Sequence, residues 1–140
     1  MATELKELRV TRHHAGEPKR RWFSADGLDL IVWMNWWGWG PPVGFQLCYD
    51  KLRHEKAFTW TRAGGFMHQR VDDGEHDVRR YKQAPVLVAE GDVNIERLTL
   101  QFERAASGLP PKIAALVFAK LRECKEADHA NRQTTSAADH

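Results

Sequence analysis

The stretch Leu28-Asp29-Leu30-Ile31-Val32-Trp33-Met34, LDLIVWM, decides the fold. Leu28, Leu30, Val32 and Met34 share one parity, and Asp29 falls on the other. Successive side chains of a strand point to opposite faces, so a period of two marks a half-buried strand over 28–34. The same period recurs downstream. Val43, Phe45, Leu47 and Tyr49 share a parity opposite Gln46 and Asp50, and Phe58 and Trp60 alternate with Ala57, Thr59 and Thr61. Ala25-Asp26-Gly27, Gly38 to Pro42 and Gly64-Gly65 interrupt the runs as turn signals. Strands are expected near 6–12, 19–24, 28–34, 43–50, 56–62 and 66–71, with Pro85-Val86-Leu87-Val88 a further candidate. Short connections favour antiparallel neighbours, hence a meander.

Past Gly91 the period changes. Asp92 is the expected N-cap of a helix in which Ile95, Leu98, Phe102 and Ala105 follow helical spacing. Leu98, Leu100 and Phe102 also alternate, but the length of the segment and the Ser107-Gly108 stop favour a helix. Pro110 and Pro111 suit the first turn of a second helix. Ile113, Leu116, Val117, Leu121 and Cys124 line one face of it, with Lys112, Lys120, Arg122 and Glu123 expected opposite. The fold class is therefore α+β: a mostly antiparallel β-meander of about five or six strands with a C-terminal two-helix hairpin packed on one face. Residues 1–125 are read as one globular domain, and 126–140 as a polar, disordered tail.

The chain has 140 residues, a formal net charge of +2 and 29% charged residues, an ordinary composition for a water-soluble protein. So small a charge argues against a dedicated nucleic-acid binder. Cys48 and Cys124 form no CxxC, which gives a disulfide or zinc-ribbon reading no support. The first residues, MATELKELRV, carry no apolar signal region, and no run approaches the ~18 apolar residues of a membrane span. A cytoplasmic setting, no membrane partner and no cofactor are expected.

The segment WMNWWGWGPP, residues 33–42, puts four tryptophans into seven residues. Trp36, Trp37 and Trp39 fall in the connection between two strands, broken by two glycines and two prolines. Loops run over surfaces because their backbone polar groups need partners. Either these indoles cap the end of the sheet, or they form a contact surface, where tryptophan is a favoured anchor. Trp22, Arg20 and Arg21, within GEPKRRWFS (16–24), are candidates to join that surface. Basic and aromatic residues together also suit single-stranded nucleic acid, although three cations are few.

Two further clusters bear on chemistry. His68, Asp72, Asp73 and His76, in FMHQRVDDGEHDVRRY (66–81), are candidate metal ligands. The segment is no EF-hand, because Asp77 stands where the loop needs glycine and Gln83 where it needs glutamate. Cys48, Asp50 and His54 supply a nucleophile, an orienter and a base, but nothing in the sequence lowers the thiol pKa. A cysteine on a core strand usually behaves as a small apolar side chain.

The runs GEPKRRWFS, DLIVW, GFQLCYDK, FTW and HQRVDDGE together resemble a group of small bacterial proteins with no assigned function, over roughly residues 16–75. The resemblance implies a bacterial cytoplasmic setting and transfers no site residues. It also implies an ordinary polar hairpin turn where this chain has its tryptophans. The expected function is a non-enzymatic binding or self-association module that meets a protein partner through Trp36, Trp37 and Trp39. The alternatives are a metal-dependent or Cys/His enzyme centred on residues 68–76, and single-stranded nucleic-acid binding.

Overall fold

The computed structural model describes residues 3–9, 19–35, 40–51, 55–70 and 94–138, without the side chains of Arg70 and residues 128–138. Six strands follow in chain order: β1 (Lys6–Leu8), β2 (Arg20–Ala25), β3 (Leu28–Trp33), β4 (Gly44–Tyr49), β5 (Lys56–Thr61) and β6 (Gly65–Arg70). Helix α1 (Ile95–Ala105), a 3-10 turn (Ala106–Gly108) and helix α2 (Pro111–Ala138) come after them. Every strand pairs with its sequence neighbour, so the sheet order is β1-β2-β3-β4-β5-β6, antiparallel throughout. This is the expected meander and α+β class.

Register assigns each side chain to a face. Leu30 pairs with Phe23 and Leu47, and Leu47 with Phe58, which puts all four on one face. The helices cover that face. Phe23, Leu28, Leu30, Val32, Phe45, Leu47 and Phe58 form one core with Ile95, Leu98, Phe102, Ile113, Val117 and Leu121. Each such side chain fully removed from water contributes about 1.5–3 kcal/mol. Phe102 meets Phe118 edge-on, with centroids 4.9 Å apart, and so locks α1 to α2.

The second face departs from expectation. Alternation marks half-buried strands, yet every residue of β3 and β4 is buried. Ile31 and Cys48 are buried there together with the polar Asp29, Gln46 and Thr59. Asp29 is held by charge: the Lys51 ammonium donates to its carboxylate at 2.8 Å and the Ser24 hydroxyl at 2.6 Å. Two donors offset much of the cost of burying that carboxylate.

Several boundaries move. β1 is only three residues long, shorter than the expected 6–12. Just before it, the Leu5 N–H donates to the Ala105 carbonyl at 2.8 Å, tying the N-terminal segment to the end of α1. Gly108 permits that approach, since a Cβ there would lie 3.0 Å from the Leu5 carbonyl. The α1 N-cap is Asn94 rather than Asp92, its side-chain oxygen accepting the Arg97 N–H at 3.1 Å. Pro111 opens α2 as expected, but the helix continues to Ala138 over the segment read as a disordered tail. Glu126, Ala127, Ala130, Arg132, Gln133 and Ala137 are good helix formers, so helix propensity persists after the apolar stripe ends at Cys124. No described helix is long and apolar enough to cross a membrane. The candidate strand at residues 85–88 lies outside the described residues.

Candidate functional site

The tryptophan-rich connection has a fixed base. The Val43 N–H donates to the Trp33 carbonyl at 2.8 Å, and the Met34 N–H donates to the Lys19 carbonyl at 2.6 Å. The chain therefore leaves the sheet after Trp33 and rejoins it at Val43. Gly40 has φ +89°, a conformation open to glycine at no steric cost. Gly44 opens β4 where β5 comes close, and a Cβ there would stand 2.8 Å from the Trp60 carbonyl.

Beside this base lies a half-open groove of about 1130 Å³. Trp60 comes from β5, Met34 from the departing end of the connection, Pro41 and Pro42 from its returning end, and Ile113 and Leu116 from α2. The walls are apolar for identifiable reasons. Trp60 shares the helix-covered face with Phe45, their rings 6.1 Å apart, and Leu116 sits at the edge of the stripe that α2 turns towards the sheet.

The rim carries charge of one sign. Arg21, Arg62, Lys112 and Lys120 line the groove, and no carboxylate stands among its described lining residues. Arg21 already has a partner: its guanidinium donates to both Glu7 carboxylate oxygens at 2.8 and 2.7 Å. That pair of bonds holds the Glu7 carboxyl below its usual range and raises the Arg21 pKa. Lys120 pairs with Glu123 at 3.0 Å and sets its ammonium 4.4 Å from the Trp60 ring centroid. The sequence put Lys120 on the solvent face of α2. The structure lays it along the flank of the groove instead, with its ammonium over the indole. The side chains of Arg62 and Lys112 have no ion pair among the described residues.

Trp36, Trp37 and Trp39 lie outside the described residues, but residues at both ends of their connection, Met34 and Gly40 to Pro42, line the groove. The expected companions divide. Arg21 pairs with Val32 in register and so shares the groove's face, whereas Trp22 pairs with Ile31 on the opposite face. Arg20 follows Trp22, its guanidinium 6.0 Å from that ring. Arg20, Arg21 and Trp22 therefore do not make one patch, because neighbours on a strand alternate.

Of the four candidate metal ligands, Asp72, Asp73 and His76 lie outside the described residues. His68 faces the helix side, where its Nε2 lies 2.5 Å from the Tyr49 hydroxyl and the two rings stack at 5.9 Å. No group of three or more metal-binding side chains occurs among the described residues. Burial pushes the Tyr49 hydroxyl up to about 12, with Asp50 adding to the shift and Arg97 opposing it. Cys48 and Asp50 do not converge. Cys48 is buried on the second face beside Ala57, while Asp50 pairs with Arg97 of α1 at 2.7 Å. Asp50 has φ +54°, so the strand's alternation ends before it. His54 lies outside the described residues.

The rim is what sequence reading missed. Arg62 follows β5, while Lys112 and Lys120 lie on α2, and no linear pattern joins the first to the other two. The one available signal was Lys112 and Lys120 flanking the apolar stripe of α2. Comparison with protein-family models, with curated proteins and with solved structures returned no match.

Proposed function

We propose that this protein is a non-enzymatic binding module, and that Trp36, Trp37 and Trp39 act with the adjoining groove as its contact surface for a protein partner or a second copy. The observation that carries this reading is the position of the groove: both ends of the tryptophan-rich connection line it. Contact would work by desolvation of flat aromatic anchors against an apolar wall, the usual source of hot-spot energy. Two cysteines that form no disulfide with each other, Cys48 buried and Cys124 half-buried, support a reducing, cytoplasmic setting.

A second reading, single-stranded nucleic acid on the same surface, draws on the rim cations. It predicts affinity that falls steeply with salt.

The experiment is size exclusion with light scattering on wild type and on Trp36→Ala/Trp37→Ala/Trp39→Ala. A wild-type dimer that becomes a folded monomer supports self-association. Two folded monomers leave the surface to another partner. A dimer that persists in the variant argues against the reading.

A further inference from the structure

We infer that the groove takes an acidic amphipathic segment of a partner protein, with apolar anchors on one side and Asp or Glu beside them. This rests on the binding reading above and names the partner's chemistry.

Three observations meet here. The walls are apolar: Met34, Trp60, Pro42, Ile113 and Leu116 offer few polar atoms to satisfy a polar ligand. The rim is cationic on several sides, with Arg21 from β2, Arg62 from the turn after β5, and Lys112 and Lys120 from α2. Glu7 and Glu123 already neutralise Arg21 and Lys120, which leaves Arg62 and Lys112 as the cations without an ion pair among the described residues. Both are exposed and line the groove.

Size and shape choose among occupants. At about 1130 Å³ the groove exceeds the roughly 300–1,000 Å³ typical of small-molecule pockets, and it is half-open rather than enclosed. An amphipathic helix laid into an apolar groove fits that shape, with anchors at i, i+3 or i+4, and i+7. Its flanking carboxylates would meet Arg62 and Lys112, which sets orientation and excludes basic competitors. Self-contact by a like surface would bring these rim cations together, a repulsive arrangement.

The test is a display selection of randomised 16-residue peptides against the full chain. Enriched sequences are then measured by fluorescence anisotropy. Two variants accompany it. Ala115→Glu places a larger, acidic side chain at an exposed lining position of α2. Arg62→Glu/Lys112→Glu reverses the open rim, and Lys112→Glu suits the first turn of a helix, so folding is expected to hold. Circular dichroism and the melting midpoint verify both.

The expected result is enrichment of acidic peptides with apolar residues on one helical face. Their affinity falls at least about tenfold in each variant and weakens as salt rises. Enriched peptides that are neutral or basic, yet lost in Ala115→Glu, would overturn the acidic partner and leave the binding reading standing. Peptides indifferent to both variants and to the loop tryptophan substitutions, or no enrichment at all, would overturn both. An oligonucleotide that binds more tightly than any peptide and is lost in the charge reversal would assign the rim to phosphates. A wild-type dimer that Ala115→Glu makes monomeric would assign the groove to a second copy. Either of these last two outcomes overturns the inference.

Discussion

Lys120 holds its ammonium 4.4 Å from the centroid of the Trp60 ring and so joins α2 to β5 at the wall of the groove. A cation over an indole face at a partly exposed site is worth about 0.5–1 kcal/mol. Lys120→Met keeps the aliphatic stem and removes the charge. It should lower stability by about 0.5–1 kcal/mol in urea unfolding. Trp60→Ala removes the wall itself and its contact with Phe45, and should cost about 2–4 kcal/mol. Equal effects of the two substitutions would contradict this account of the wall.

The second face of the sheet rests on Asp29, buried and paired with Lys51 at 2.8 Å. Lys51→Met leaves the carboxylate with the Ser24 hydroxyl alone among the partners described for it and should destabilise by about 1–3 kcal/mol. Replacing both partners, Asp29→Leu/Lys51→Met, should recover much of the loss, because no charge then remains buried without its cation. A double-mutant cycle in urea gives both numbers. An additive cycle would show that the pair is not coupled.

Tyr49 predicts an alkaline transition. A tyrosine in the unfolded chain ionises near pH 10, as tyrosines generally do. In the folded protein burial holds the Tyr49 proton to about 12. Between those values the folded state binds more protons, so this contribution to stability is complete below about pH 10 and is lost as pH rises towards 12. The urea midpoint should fall over that range, and in Tyr49→Phe it should fall less. At neutral pH Tyr49→Phe should cost about 1 kcal/mol for the lost bond to His68. An absorbance titration at which both tyrosines ionise near pH 10 would refute the assignment.

The two thiols should differ in reactivity. Cys48 is 0% exposed on the second face, while Cys124 is partly exposed on α2. Under native conditions an aromatic disulfide reagent should modify Cys124 and spare Cys48 until the protein unfolds. Cys48→Ala should cost about 1 kcal/mol or a little more, the loss of a small buried side chain. Fast modification of Cys48 would restore the nucleophile reading.

The fold was legible where one physical rule acted alone. Leu28, Leu30, Val32 and Met34 announced a strand face, and Ile95, Leu98, Phe102 and Ala105 announced a helix face; all eight are buried. Legibility failed where two rules competed. Asp29, Gln46 and Thr59 look solvent-facing by pattern, yet they are buried, and Asp29 is paired there with a lysine 22 positions away. Lys120 looks like a solvated charge by helical phase, but its long side chain lets its ammonium reach the Trp60 ring. The rim of the groove was legible only in part: Arg21 stood out as a surface candidate, but register and helix packing, not spacing, bring it together with Arg62 and Lys112. The basic and aromatic run at Arg20 to Trp22 misled for the opposite reason: adjacency in sequence is separation across a sheet.

On the proposed function Trp36, Trp37 and Trp39 belong to a contact surface and not to the core. The thermal unfolding midpoint of Trp36→Ala/Trp37→Ala/Trp39→Ala beside wild type tests it most directly. A cooperative transition within about 4 °C of wild type is expected, which corresponds to a change of about 1 kcal/mol or less. Loss of the cooperative transition, or a midpoint more than about 10 °C lower, would mean that the indoles are buried structure and would contradict the claim.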